Sequence, residues 1–165
     1  MSIFILFLIG LFFGSFLNVV VERIAQNTSF IKGRSKCDFC DHTLTWLDLI
    51  PLFSFIALQG KCRYCQKKLS IQYPIMELVT GILFVATAVF VIQKSSMYQV
   101  VSSMQLLELI YYLFIISSLL VIFVIDLKYG IIPFVIVILA TILTVLYILL
   151  TTSYTLPIHF LSAFG

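Results

Sequence analysis

Residues 1–21 read MSIFILFLIGLFFGSFLNVVV and contain no charged side chain. A helix of about 20 apolar residues is long enough to cross the hydrocarbon core of a bilayer. No basic stretch precedes the run and no polar cleavage region follows it, which disfavours the alternative of a removed signal peptide. We therefore expect residues 1–22 to form a retained first transmembrane helix.

The chain as a whole is also strongly apolar. Of its 165 residues, 62% are hydrophobic and 10% are charged, whereas about 25% of an ordinary soluble domain is charged. Further apolar runs occupy residues 73–92, 109–125 and 131–150. The polar and helix-breaking residues at 151–157 are expected to end the fourth helix, which leaves 156–165 as a tail or part of a fifth. The sequence thus predicts an all-α, multi-pass transmembrane bundle of about four helices.

Basic residues are concentrated in one loop. Eight of the ten lie between residues 22 and 68, and they are Arg23, Lys32, Arg34, Lys36, Lys61, Arg63, Lys67 and Lys68. Basic residues in short loops are retained on the cytoplasmic side of the membrane. We expect 23–72 to be a cytoplasmic loop, 93–105 to lie outside and 126–130 to return inside. Because orientation explains these charges, nucleic acid is not expected as a partner.

All four cysteines lie in this loop, as Cys37-x-x-Cys40 and Cys62-x-x-Cys65 with 21 residues between the pairs. Two such pairs are typical of a closed tetrahedral Zn²⁺ site of the structural kind. Residues 36–45 (KCDFCDHTLT) match 61–70 (KCRYCQKKLS) in character, which predicts two equivalent zinc knuckles. The alternatives are four reduced thiols or two disulfides, and a reducing cytoplasm disfavours the disulfides.

The segment between the knuckles, 44–58, is too apolar for a solvated loop and too short to span a bilayer. We expect it to lie at the membrane interface, with Trp46 at the level of the lipid headgroups.

Three acids border or enter apolar runs, where ionisable groups are costly. Glu108 is expected to cap the third helix, where a carboxylate complements the helix dipole. Glu77 either caps the second helix or faces the bundle interior. Asp126 closes the third helix, where a negative charge opposes the dipole. It is therefore either a functional residue or the ion-pair partner of Lys128.

Several motifs together resemble, in order, those of the type IV prepilin peptidases, which are membrane aspartic proteases of bacteria. They are the paired knuckles, GSFLNVVVER at 14–23, DLIP at 48–51, YPIMEL at 73–78 and IDLKYGIIP at 125–133. The resemblance implies a plasma-membrane enzyme that removes the leader of prepilins or pseudopilins on the cytoplasmic face. It also implies methylation of the new N-terminus with S-adenosylmethionine in many members. Asp126 matches the first catalytic aspartate of that family.

Peptide hydrolysis of this class needs one ionised carboxylate and one protonated carboxylate, and a single aspartate cannot supply both. In the family, the second aspartate belongs to a Gly-x-Gly-Asp type motif after a further helix, but no acid follows Asp126 here. We expect residues 73–165 to be a C-terminally incomplete bundle and the chain to have little peptidase activity by itself.

A non-enzymatic adaptor, in which the zinc loop binds a cytoplasmic partner and the helices anchor it to lipid, is the alternative. A small transporter is disfavoured because the first, third and fourth apolar runs have few polar residues to line a substrate path. The sequence does not predict which pilin-like substrate is used, which residues bind the methyl donor, or whether the chain dimerises.

Overall fold

The computed structural model describes residues 3–26, 28, 34–37, 39–98 and 102–162, and gives side-chain surroundings for these except 95–98, 102–104 and 153–162. Its helices, in chain order, are α1 (Ile3–Ala25), α2 (Phe53–Ala57), α3 (Gln72–Tyr98), α4 (Ser102–Tyr129) and α5 (Phe134–Ser162). A single 3₁₀ turn, Trp46–Leu49, precedes α2. Among these residues the only β pairing is two isolated bridges in the cysteine loop. The all-α prediction is confirmed.

Four helices are long and apolar enough to cross a membrane, and the short α2 is not among them. The qualifying segments are Ile3–Ala25, Gln72–Lys94, Gln105–Tyr129 and Phe134–Thr152. Each exceeds the roughly 17 residues that the hydrocarbon core requires. The prediction of a four-helix, multi-pass bundle is therefore confirmed.

The predicted helix end at 151–157 is wrong, because α5 continues through this segment to Ser162. The hydroxyl of Thr151 donates to the carbonyl of Tyr147 at 2.9 Å, and that of Thr152 donates to Ile148 at 2.7 Å. Threonine hydroxyls that bond one turn back along the helix are satisfied without leaving it. A polar stretch of this kind does not by itself end a membrane helix.

Helices α1 and α3 approach each other very closely. A Cβ built on Gly10 would lie 2.7 Å from the Cα of Gly81, and one on Gly14 would lie 2.6 Å from the Cα of Glu77. No side chain fits in either gap, so the two backbones are in direct contact. Gly10 and Gly14 form the small-xxx-small pattern that permits such contact between membrane helices.

A buried apolar cluster joins α1, α3 and α4 beside the cysteine loop. It consists of Leu17, Val20, Val21, Met76, Val121 and Ile125. Ile125 and Val21 are fully buried. The cluster therefore brings the last turns of α4 to the same end of the bundle as the end of α1 and the start of α3.

The prediction that Glu108 caps a helix is wrong. Helix α4 begins at Ser102, so Glu108 lies beyond its first turn. Its carboxylate is buried and forms a salt bridge with Lys94 of α3. A carboxylate inside a membrane helix is tolerated when it is paired in this way.

Candidate metal centre and adjoining cleft

The two knuckles have the same backbone hydrogen bonds. The amide of Cys37 donates to the carbonyl of His42 at 3.0 Å, and the amide of Cys62 donates to that of Lys67 at 2.9 Å. The β-bridges also correspond, because the bridge from Lys61 to Lys68 lies 25 residues after the bridge from Lys36 to Thr43. The predicted internal repeat is therefore a repeat of structure.

Each knuckle turns through a residue with positive φ, Asp41 in the first and Gln66 in the second. Their amides donate to the carbonyls of Cys37 and Cys62, both at 3.0 Å. These turns place the second cysteine of each pair beside the first.

The four thiols Cys37, Cys40, Cys62 and Cys65 meet at one point, with all sulfur atoms within 4.8 Å of one another. The Cys37 and Cys65 sulfurs are 3.9 Å apart. A tetrahedral Zn²⁺ with bonds of about 2.3 Å to sulfur requires sulfur atoms separated by about 3.8 Å. The cluster could therefore hold one metal ion. The nearby His42 is not one of the clustered ligands, and its ring stacks on Tyr64 with ring centroids 3.7 Å apart.

The thiols differ in acidity. Burial raises the pKa of Cys37. At Cys62 burial acts in the same direction, but hydrogen bonds from the Cys65 and Tyr64 amides outweigh it and lower the pKa to about 7. Backbone amides aimed at sulfur stabilise thiolate, which is the form that binds metals.

Asp48 connects the second knuckle to the segment between the knuckles. Its carboxylate accepts hydrogen bonds from the Thr45 hydroxyl at 2.7 Å and the Thr45 amide at 3.0 Å. It also forms a salt bridge of 2.8 Å with Arg63. Burial opposes ionisation of this carboxyl most strongly, but the hydrogen bonds from Thr45 and Arg63 prevail and lower its pKa.

A cleft of about 130 Å³ lies between α1, the knuckles and the start of α3. Asn18 of α1 and Glu77 of α3 line it and are 3% and 7% exposed. Glu77 accepts a hydrogen bond of 2.8 Å from the amide of Leu52, the residue before α2. Of the two alternatives for Glu77, the interior position is the one observed.

Polar contacts join α1 to α3 beside the cleft, and one of them pairs Glu22 with Tyr73. The Tyr73 hydroxyl donates to the Glu22 carboxylate. The Asn18 amide donates to the Tyr73 carbonyl at 3.2 Å. The end of α1 and the start of α3 are thus held together by polar contacts as well as by their glycines.

Asp126 lies in the last turns of α4 with its side chain exposed. Its carbonyl accepts a hydrogen bond of 2.9 Å from the amide of Gly130, whose positive φ ends the helix. The Lys128 ammonium lies over the Tyr129 ring, at 5.2 Å from its centroid. Ile125, which precedes Asp126 in the chain, belongs to the apolar cluster beside the cysteine loop. Asp126 therefore sits at the same end of the bundle as the thiols.

The fold and the site define a class of protein: a membrane-spanning helical bundle with four thiols gathered at one end. Residues 8–91, about half of the chain, match the family described as the bacterial peptidase A24 N-terminal domain. The chain belongs to this family, which confirms the resemblance to prepilin peptidases. The match covers most of α1, the cysteine loop and most of α3, and Asp126 lies outside it.

Curated relatives agree with this assignment. The chain is 48% identical over 81 residues to a prepilin leader peptidase/N-methyltransferase of Myxococcus xanthus, a match covering 49% of this chain and 24% of that protein. It is 46% identical over 85 residues to the Bacillus subtilis protein of the same name, covering 52% and 34%. The chain thus matches about a quarter to a third of these relatives. No solved structure matches it.

Sequence reasoning missed three features of this site. These are the Asn18 contact to α3, the salt bridge between Asp48 and Arg63, and the contact from Glu77 to Leu52. Asn18 carried a signal, because it is a polar side chain in a charge-free run, and such residues in membrane helices usually face a partner. The other two join residues 15 and 25 positions apart, which local patterns do not reveal.

Proposed function

We propose that this chain takes part in removing the leader peptide from prepilins or pseudopilins, with Asp126 as one of two catalytic carboxylates. The observation that carries the proposal is the position of Asp126, at the end of α4 that packs beside the cysteine loop of a family member. Basic residues retained on the inner side of the membrane support a cytoplasmic position for this end. The leader would then be cut where the lipid meets the cytosol, at the bacterial plasma membrane.

In this chemistry one carboxylate accepts a proton from water while a second, protonated carboxyl polarises the scissile carbonyl. Asp126 supplies one group, and the sequence has no Asp or Glu after it. Glu77 and Glu108 are each bound to other residues, Leu52 and Lys94 respectively. We therefore expect little or no leader cleavage by these 165 residues alone.

The residue ranges of the sequence prediction are part of the proposal: a first helix at 1–22, a cytoplasmic zinc loop at 23–72 and the bundle carrying Asp126 at 73–165. Zn²⁺ bound by the four thiols would have all its ligand positions filled, which suits a structural role. The loop would then be a rigid platform on α1 and α3 for the substrate.

Methylation of the processed N-terminus is the second proposed activity, and S-adenosylmethionine would supply the methyl group. The donor carries cationic groups, and a cleft that combines buried Glu77 with apolar walls suits a cation. Asn18, Glu22 and Glu77 are among the polar residues that line it.

The experiment that tests leader cleavage uses a hybrid protein. Residues 1–133 of this chain would replace the matching N-terminal part of the Bacillus subtilis relative, which then supplies its own remaining segment. The hybrid and the 165-residue chain are incubated in membranes with a tagged prepilin, and leader loss is followed by gel mobility.

We expect the hybrid to cleave and the chain alone to be nearly inactive. Asp126→Asn should lower hybrid cleavage by at least about 100-fold, the usual contribution of a general acid or base. Lys128→Gln is the matched control and should keep activity. If the Asp126→Asn hybrid cleaves normally, the catalytic assignment is wrong and the zinc-binding adaptor becomes the better interpretation.

A further inference from the structure

One buried polar atom of the cleft has no hydrogen-bond partner among the described residues, and it is the amide oxygen of Asn18. The orientation of this amide is fixed, because its nitrogen donates to the Tyr73 carbonyl and a flipped amide would oppose two oxygens. Leaving a buried acceptor unpaired costs about 1–3 kcal/mol. A donor at this position would remove that cost.

A buried carboxylate shares the same cleft. Glu77 is 7% exposed and has no ion-pair partner in the part of the chain that the structure describes. One of its oxygens accepts a hydrogen bond from the Leu52 amide, and Ser15 lines the same cleft. Because Gly14 allows α1 to touch α3 at Glu77, this carboxylate lies against the face of α1 that carries Asn18. Neutral donors alone leave its charge uncompensated.

The rest of the lining favours a ligand with one cationic and one apolar part. Two bases, Lys36 and Arg63, line the cleft as well. Arg63 is engaged with Asp48, and Lys36 is exposed and forms no salt bridge with Glu77 in the described part of the chain. Glu22 adds a second carboxylate one helical turn after Asn18. Leucine side chains form much of the remaining wall, and they are Leu44, Leu49, Leu58 and Leu69.

We propose that this cleft binds a primary ammonium group, with Asn18 and Glu77 as its direct acceptors and Glu22 nearby. An ammonium offers three N–H donors in different directions, which suits acceptors on two helices. A guanidinium is planar and prefers a bidentate carboxylate. A divalent cation would need several oxygens around one point, and the described residues gather three or more possible ligands only at the thiols.

Three molecules could supply the ammonium: a peptide through its N-terminus, a peptide through a lysine, or S-adenosylmethionine through its amino-acid part. Assigning it to the N-terminus of a processed prepilin, as the amine to be methylated, rests on the proposed function. Binding of an amine does not rest on it, and is measured without leader cleavage.

The test is calorimetry on the full chain, metal-loaded and in detergent micelles. The first probe is a tetrapeptide amide with leucine followed by three alanines. The second is its N-acetyl form, the third an N-acetyl form with one alanine replaced by lysine, and the fourth S-adenosylmethionine. We expect the free-amine peptide to bind and its acetylated, lysine-free form to bind at least about 10-fold more weakly, because a charge-assisted bond is lost.

Two variants locate the site. Asn18→Leu removes the unpaired acceptor, and Glu77→Gln removes the charge while an amide oxygen can still accept from Leu52. Each should weaken binding of the free-amine peptide about 10-fold or more. Asp41→Asn is the control, since it removes an exposed acid outside the cleft and asparagine tolerates positive φ. Thermal melts followed by circular dichroism identify any variant that fails to fold.

Equal binding of the free and acetylated peptides would overturn the proposal, as would lack of binding by all amines. Unchanged binding in folded Asn18→Leu and Glu77→Gln would also overturn it. Tighter binding of the lysine peptide or of S-adenosylmethionine would support ammonium recognition and reassign its source. Should the amine bind while the hybrid protein fails to cleave prepilin, only the proposed peptidase function would be rejected.

Discussion

Helices α1 and α3 differ sharply from α5 in how they are held. In the most apolar stretches of α1 and α3, 39% and 44% of residues are buried, compared with 22% in α4 and none in α5. Gly10, Gly14 and the hydrogen bond from Asn18 to Tyr73 join α1 to α3, whereas the polar and aromatic contacts of α5 with α4 include the stacked rings of Tyr111 and Tyr147. The cysteine loop connects the tightly packed pair. The closest helix packing and the four thiols are therefore found in the same half of the molecule.

Metal removal should produce the largest difference between the cysteine loop, which should unfold, and the membrane helices, which should stay folded. We expect about one Zn²⁺ per chain, and Cys62→Ser or a strong chelator should unfold the knuckles, since structural Zn²⁺ binding contributes on the order of 10 kcal/mol. Metal analysis measures the stoichiometry, and limited proteolysis measures loss of structure. The membrane helices should remain resistant to protease. A metal content well below one per chain would contradict the zinc assignment.

Separating α1 from α3 should have the next largest effect. In Gly14→Ala the new Cβ would meet the Glu77 backbone at 2.6 Å, and we expect a loss of about 1–3 kcal/mol of unfolding free energy. Thr141→Ile, on the exposed face of α5, is the control and should change it by less than about 0.5 kcal/mol. Denaturation in mixed micelles gives both values. Equal effects at the two positions would show that the α1–α3 contact is not special.

Acid should weaken the cysteine loop partly through Asp48. Because the pKa of this carboxyl is lowered in the folded state, its contribution is complete above its unfolded pKa of about 4 and is lost as the pH falls through the folded value. At neutral pH, Asp48→Asn should cost about 1–2 kcal/mol. Unfolding followed by Trp46 fluorescence, from pH 7 to 3, should show the two proteins converging in acid. A constant difference across this range would exclude Asp48 as the titrating group.

The smallest effect on stability is expected for a substitution in the segment that joins the knuckles. Trp46 is 74% exposed, and Ile56 and Phe53 are 73% and 66% exposed. We expect this surface to lie in the lipid interface, so that brominated lipids quench Trp46 fluorescence. Trp46→Ala should alter stability in detergent by less than about 0.5 kcal/mol. Lack of quenching in bilayers would place the segment in water.

The features predicted well from sequence are those that depend on local pattern. Lengths of apolar runs identified the four membrane helices, and the spacing of Cys37, Cys40, Cys62 and Cys65 identified ligands that do converge. The repeat of 25 residues predicted equivalent knuckles, and their hydrogen bonds correspond.

The features that were missed depend on pairing between helices. Glu108 was assigned to a helix start because its partner Lys94 lies on another helix. The polar stretch after Leu150 was interpreted as a break because hydroxyl bonds within a helix leave no trace in composition. The Gly10 and Gly14 spacing did carry a signal for close helix contact. The catalytic role of Asp126 stays a prediction.

We expect the close contact of α1 and α3 to raise the affinity of the four thiols for a metal ion as well. Both knuckles belong to the one loop that follows α1 after Ala25 and ends where α3 begins at Gln72. Since the membrane helices already hold these two points side by side, much of the entropy of loop closure is lost before any ion arrives. Each thiol pair therefore meets the other at a raised effective molarity. The same stretch, cut out as a free peptide, would bind its ion more weakly with unchanged ligands.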